Sequence, residues 1–348
     1  MNIAFIGVGS ISGIYLKNIT ERFSEIKIVG LCDLIPERAK NAAEKYGIGK
    51  VYGHMQEAFD DPEVDMILNI TRPYQHYEVT RQALMAGKQV YSEKPLGASI
   101  EEGRALVALA KEKGLMIGGA PDTFLGAGIQ TCKKLIDDGY IGRPLAASAF
   151  MMSSGPDHWH PDPEFFYKYG GGPMMDMGPY YITALTYLMG RVESVVGMAA
   201  ASFPERLFTC KEHYGETTKV EVSTHLTGSM RFESGAVGTI TTSFDVRKST
   251  LPRIEIYGEK GTLIVPDPNT FGGPVRLYRP EDGEFRDMPL LYGNADNSRG
   301  LGLLEMARAI RDHRSEFVTG SERTFHVLDV MTAFQRSSDS GMVVRMEK

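Results

Sequence analysis

A chain of 348 residues is longer than one hydrophobic core usually serves, so two domains are expected, and 42% hydrophobic with 24% charged residues is an ordinary soluble, globular composition. A formal net charge of -6 at pH 7, with no run of lysines and arginines, argues against a nucleic-acid or anionic-membrane surface. No apolar stretch reaches the roughly 18 residues of a membrane span, and Cys32, Cys132 and Cys210 lack CxxC spacing, which fits a reducing cytoplasm. The strand pattern starts at Asn2, so no signal peptide is expected.

Ile3 to Ile6 is an apolar run of buried parallel-strand type. It passes into Gly7-Val8-Gly9-Ser10-Ile11-Ser12-Gly13 and then a helical pattern through Ile14, Leu16 and Ile19. Strand, glycine turn and helix suit a pyrophosphate: the glycines let the backbone approach, and the helix N-terminus offers unpaired N–H groups with a favourable dipole. Gly7, Gly9, Ser10, Ile11 and Ser12 are therefore cofactor candidates, with Ser12 where Gly or Ala is usual. A second strand, Ile26 to Cys32, ends in Asp33, whose carboxylate can accept hydrogen bonds from a ribose. Leu34 and Ile35 cannot hold a 2′-phosphate, and Arg38 fits the next helix better than a reach back, so NAD is favoured, with NADP the alternative.

Helices are expected over 36–46, 55–59, 76–86 and 101–113, and strands over 64–70 and 115–119. The 64–70 strand ends in Thr71-Arg72-Pro73-Tyr74-Gln75-His76, and a run through Val90-Tyr91 ends in Glu93-Lys94-Pro95. Proline pushes Lys94 toward an extended backbone, so a lysine there is held in place. Five or six strands alternating with helices predict a doubly wound parallel sheet whose ligand lies at the carboxyl ends of the strands. Loops bearing Gly7 to Ser12, Asp33, Thr71 to His76 and Glu93 to Pro95 all fall on that edge.

These residues carry a resemblance. Gly7-Val8-Gly9, Asp33, Thr71-x-Pro73 with His76, and above all Ala86-Gly87-Lys88-Gln89-Val90 leading to Glu93-Lys94-Pro95, resemble the Gfo/Idh/MocA oxidoreductase family over essentially the whole chain. The resemblance implies a Rossmann domain over 1–121 and an α+β substrate and oligomerisation domain over 122–348, and the terminal helix is expected to pack back on the first domain. It assigns Lys94 as the catalytic cation beside the nicotinamide, and sets Thr71, Arg72, Pro73, His76 and Glu93 among the cofactor contacts.

From Asp122, itself a candidate substrate contact, the pattern changes. Residues 123–138 read as one helix and 145–152 as a strand. The loop Asp157-His158-Trp159-His160-Pro161-Asp162 follows, leading to Gly170-Gly171-Gly172-Pro173. Aromatic rings beside histidine suit the apolar face of a sugar ring and its hydroxyls, making His158, Trp159 and His160 substrate candidates. Two histidines at i and i+2 without a clear third ligand do not make a metal site, and no metal is expected. Asp176 and Tyr180 share a face if both are helical, although Pro179 fits a first helical turn better and could move the start toward Gly178.

The family pattern here is Asp-x-Gly-x-His with the histidine as acid/base. Tyr180 stands in place of that His, and Thr183 in place of a frequent Asp. This resembles the glucose–fructose oxidoreductase and dihydrodiol dehydrogenase branches, and implies Tyr180 as acid/base with Asp176 orienting substrate. An ordinary phenol titrates at roughly 10, so a lysine ammonium nearby would be needed to favour the phenolate. Strand-like segments at 192–201, 220–233, 236–246, 253–257 and 262–265, with turns at Ser234-Gly235 and Glu259-Lys260-Gly261, predict a large, mainly antiparallel open sheet. Its second face needs cover, which a second copy in a dimer or tetramer would give. Helices at 300–311 and 322–337 complete the chain. The expected activity is NAD-linked oxidation of a secondary alcohol on a sugar or cyclitol. A glycosidase recycling its NAD and a non-catalytic NAD-binding regulator are the rivals.

Overall fold

The apolar runs and glycine turns of the N-terminal segment form an alternating β/α unit in the structure, a computed structural model that describes residues 1–347. The chain folds as two units. One comprises Met1–Asp122 and Asn297–Phe325, the other Thr123–Asp296 and the chain from His326.

In chain order the first unit holds β1 (Asn2–Ile6), α1 (Ser12–Arg22), β2 (Lys27–Cys32), α2 (Pro36–Tyr46), β3 (Lys50–Tyr52) and α3 (Met55–Asp60). It continues through β4 (Met66–Asn69), α4 (His76–Met85), β5 (Gln89–Ser92), α5 (Ile100–Lys113) and β6 (Ile117–Gly119). All six strands are parallel, in the order β3-β2-β1-β4-β5-β6. The order reverses between β1 and β4, so the loops leaving those strands flank the crevice where a doubly wound sheet takes its ligand. Strand β3 escapes periodicity because it is three residues long with only Tyr52 buried. A Cβ on Gly30 would lie 2.4 Å from the Tyr52 ring, so that glycine makes room for it.

The second unit begins with a short 3-10 turn, Thr123–Leu125, and then α6 (Ala127–Asp137). The single helix expected over 123–138 is broken at Gly126, whose backbone is too close to Phe271 for any Cβ (2.5 Å). Next come β7 (Pro144–Met152), α7 (Pro173–Met189), β8 (Val192–Ala200), the small β9/β10 hairpin (Glu205–Leu207 and Thr217–Lys219), β11 (His225–Phe232) and β12 (Val237–Ser243). Strands β13 (Ile254–Gly258), β14 (Thr262–Val265), β15 (Val275–Tyr278) and β16 (Phe285–Met288) form a meander.

The chain then returns to the first unit with α8 (Leu301–Arg311). It crosses back through α9 (Ser321–Ser340) and ends with β17 (Val344–Arg345) on the edge of the second unit's sheet. That sheet has nine strands in the order β16-β15-β14-β13-β7-β12-β11-β8-β17, antiparallel except where β12 runs parallel to β7. Ala147, Ala149, Met151, Leu226, Met230 and Ile240 point inward and are buried, while Val196, Met198, Thr227, Val237 and Thr239 alternate outward and are exposed. Helix α7 is almost wholly apolar and buried, as its position against β7, β11 and β12 requires.

Of the two last helices it is α8 whose apolar stripe enters the first unit's core. Leu303, Met306 and Ala307 pack with Ile3, Phe5, Tyr15 and Tyr91. The terminal helix, expected to do so, begins in the first unit and lies in the second from His326. The sequence pattern gave no means of telling the two amphipathic helices apart.

Candidate active site

In the first unit the chemistry gathers at the carboxyl ends of β1, β2, β4 and β5. Gly7, in the left-handed region at φ 100°, has the Ile70 carbonyl 2.7 Å from where a Cβ would stand, so only glycine lets this turn lie against the loop after β4. Gly9 and Ser10 are exposed, nothing crowds Gly9 or Gly13, and no side chain caps α1. Ser12 donates to the Gly9 carbonyl at 2.7 Å, closing the turn, and takes the small-residue position without strain. Open backbone N–H groups at a helix start, reached over bare glycines, fit a dinucleotide pyrophosphate.

Asp33 is half-buried and fastened from two sides. Its Oδ2 accepts from the Val8 N–H at 2.6 Å and its Oδ1 from the Ile35 N–H at 2.8 Å. Each oxygen keeps a second lone pair for a ribose hydroxyl. Leu34 beside it is 88% exposed, and Arg38 lies exposed on α2.

His76 is buried, with Nδ1 2.7 Å from the Pro95 carbonyl and Nε2 3.1 Å from the Thr71 carbonyl. Burial pushes its pKa below the usual imidazole range, against the pull of the two carbonyls, so a neutral ring donates to one of them. Its task is to join the Thr71–Pro73 loop to the Lys94–Pro95 loop. It was expected among the cofactor contacts, and it is bonded to the backbone of two of the loops expected there. Thr71 is in turn bonded to Asn69 at 2.7 Å, and Arg72 is half-buried beside Pro73.

Glu93 is buried as well. Its carboxylate accepts the Tyr15 hydroxyl at 2.7 Å and the Lys94 N–H at 3.0 Å, while its own N–H donates to the Asn69 carbonyl. The half-buried Lys94 thus follows an anchored acid and precedes a proline whose carbonyl is held by His76. The lysine backbone is fixed on both sides, as the Glu-Lys-Pro pattern implied. Tyr15 was missed because its helix face was traced through Ile14, Leu16 and Ile19, whereas the buried stripe is Tyr15, Leu16 and Ile19.

Asp122 corrects an expectation. It is 1% exposed, and its Oδ2 accepts the Gly300 and Gly302 N–H groups at 2.7 and 3.0 Å, which makes it the cap of α8 and leaves it closed to substrate. Burial pushes its carboxyl up to about 6, against the lowering effect of those two bonds.

In the second unit α7 starts at Pro173, after Gly172 at φ 91°, and runs through Pro179. Asp176 and Tyr180 are therefore both helical and share a face, with Asp176 half-buried in the first turn and Tyr180 8% exposed. The later start weighed because of Pro179 is not adopted. Gly178 lets the Met174 and Met331 sulfurs close over the helix at that point, both within 3.2 Å of where its Cβ would stand. His158 and Trp159 are exposed, Trp159 at 62%. His160 is half-buried among Trp159, Phe165 and Phe166, and its Nδ1 accepts the Asp162 N–H at 3.0 Å. Among the described residues no three His, Cys, Asp or Glu side chains are grouped to hold a metal ion, and no helix is long and apolar enough to cross a membrane.

Comparison with known proteins places both units. Residues 1–119 match the model of an oxidoreductase family with an NAD-binding Rossmann fold, and residues 129–264 match the GFO/IDH/MocA C-terminal domain. The chain is 26% identical to scyllo-inositol 2-dehydrogenase (NAD(+)) of Bacillus subtilis, covering 99% of this chain and 96% of that protein. It is 25% identical to D-glucoside 3-dehydrogenase of Escherichia coli, covering 99% and 97%. The fold is shared with levoglucosan dehydrogenase in complex with NADH and levoglucosan, at a TM-score of 0.82 and 20% identity over 100% of this chain and 99% of the other.

Proposed function

The chain belongs to the Gfo/Idh/MocA family of NAD-binding oxidoreductases, and from that premise we propose that it moves hydride between NAD and a secondary alcohol of a sugar, sugar derivative or cyclitol. The observation that carries the reading is Lys94, fixed by the Tyr15–Glu93 bond before it and the His76–Pro95 contact after it, at the end of a strand in an NAD-binding domain. The named relatives that act on inositol and glucoside hydroxyls support the substrate class.

A bound NAD would supply the hydride acceptor for the carbinol carbon. The loop from Gly7 to Ser12 would take the pyrophosphate, Asp33 the ribose, and Thr71 to Pro73 the rest of the cofactor. Tyr180 would act as the phenolate, its Oη taking the hydroxyl proton and becoming the neutral phenol as the carbonyl forms. The Lys94 ammonium holds the alcohol oxygen and steadies charge that develops on it, and Asp176, one turn before Tyr180, orients the substrate. His158, Trp159 and His160 would receive the sugar ring. NAD is preferred over NADP because Asp33 and the apolar Leu34 and Ile35 leave no place for a 2′-phosphate. The chain acts as a dimer or tetramer through the exposed face of the nine-stranded sheet, in the cytoplasm, where the buried free cysteines stay reduced.

Purified protein with NAD, tested against inositols, glucosides, anhydrosugars, uronates and aldoses, should form NADH and an equal amount of ketone with at least one of them. Release of free sugar without net NADH favours an NAD-recycling glycosidase. Tight NAD binding without turnover of any of them favours a regulator.

A further inference from the structure

The only tryptophan of the chain, Trp159, lies in a loop whose two ends converge on one arginine with a largely covered side chain. Arg206 of β9 donates from Nε and Nη2 to Asp157 Oδ2 at 3.0 and 2.5 Å, from Nη1 to Asp245 Oδ1 at 2.8 Å, and from Nη2 to the Ser154 carbonyl at 2.7 Å. The free lone pairs are used too. Tyr167, at the far end of the loop, donates to Asp157 Oδ1 at 2.6 Å, and Thr224 donates to Asp245 Oδ2 at 2.6 Å. The arginine and aspartate side chains are only 7 to 12% exposed.

Two buried anions around one cation are a poor means of stabilising a fold, because well-packed apolar side chains would serve as well. What a planar, five-donor fork gives is a single geometry. The β9/β10 hairpin that brings Arg206 is inserted between β8 and β11, which are neighbours in the large sheet, yet it pairs only with itself. Its evident product is the anchor.

We propose that Arg206, with Asp157 and Asp245, is a positioning device that holds the His158–His160 tripeptide in the pose that receives substrate, and so sets KM and selectivity for the polyol without setting affinity for the cofactor. The inference rests on the assignment of that tripeptide to substrate made above.

Trp159 gives a readout independent of turnover. In the full-length chain, acrylamide quenching and emission anisotropy of Trp159 are compared among wild type, Arg206→Met, Arg206→Lys and Tyr167→Phe, with circular dichroism as the check on folding. Arg206→Met should increase quenching and lower anisotropy. It should also raise KM for the best polyol by about tenfold or more, with kcat and the KM for NAD within about twofold. Lysine should restore part of both effects, and Tyr167→Phe should shift both in the same direction by less.

Unchanged Trp159 mobility and unchanged KM in a folded Arg206→Met, or in Tyr167→Phe if Arg206→Met does not fold, overturn the proposal. A freed Trp159 with unchanged KM overturns it too, and locates the fault in the assignment of the loop to substrate. Should no polyol be turned over, the proposed activity fails while the Trp159 readout still decides the anchor.

Discussion

Lys94 and Tyr180 are the two side chains on which turnover is proposed to depend, and they differ in how their positions are secured. Lys94 is fixed through its neighbours, Glu93 and Pro95, each bonded to another element of its unit. Tyr180 is fixed by α7, a helix buried over most of its length. Lys94→Ala and Tyr180→Phe should each lower kcat on the order of a hundredfold or more with the fold intact, as circular dichroism and NADH binding would show. Full activity in either removes it from the mechanism. Asp33→Ala should raise the KM for NAD more than that for NADP, since only the ribose contact of NAD is lost.

Asp122 carries a prediction about stability. Its folded-state pKa, about 6, lies above the ordinary 3.8, so ionisation is penalised in the folded chain. That contribution to stability is fully present below about pH 4 and is lost as pH rises through about 6, amounting to roughly 3 kcal/mol. Relative to Asp122→Asn, the wild type should therefore gain stability as pH falls across that window in denaturant titrations. A difference that stays flat with pH would contradict the assignment.

Elements whose reason for existing is local were legible in the sequence. Strands β1, β2, β4 and β5, the glycine turn and helices α2, α4 and α5 follow from apolar runs, caps and C-terminal glycines such as Gly47 and Gly114, both in the left-handed region. Elements whose reason lies far along the chain were not. Gly126 lies too close to Phe271 to carry a Cβ, Gly30 leaves room for Tyr52 of β3, and the β9/β10 hairpin brings Arg206 to Asp157.

The same distance hid the role of Asp122, which caps a helix beginning at Leu301. Helix α8 gives this a test. A Cβ on Gly302 would stand 2.1 Å from the Tyr91 hydroxyl and 2.9 Å from Asp122 Cβ. Gly302→Ala should then cost roughly 1–3 kcal/mol of stability, read as a lower denaturant midpoint. An unchanged midpoint would mean that α8 is not seated as described.

At the scale of the whole molecule, the chain leaves the first unit at Asp122 and returns to it at Asn297, so the proposed nucleotide domain is completed only after most of the second unit has been laid down. A sequence read in order has no local signal for the return at Asn297. The outer face of the nine-stranded sheet keeps Val196, Met198 and Val237 exposed, Met198 at 77%. A second copy covering it would bury several such side chains at once. Met198→Glu should shift the protein toward monomer in sedimentation velocity, and an oligomer of unchanged size would point to another interface.

The central claim is that hydride passes directly from a carbinol carbon to NAD. A polyol deuterated at that carbon, oxidised by the wild-type protein, tests it most directly through the mass of the dinucleotide formed. The account predicts NADH carrying one deuterium and a slowed rate with the labelled alcohol. Unlabelled NADH, or label retained in a released sugar, would contradict it.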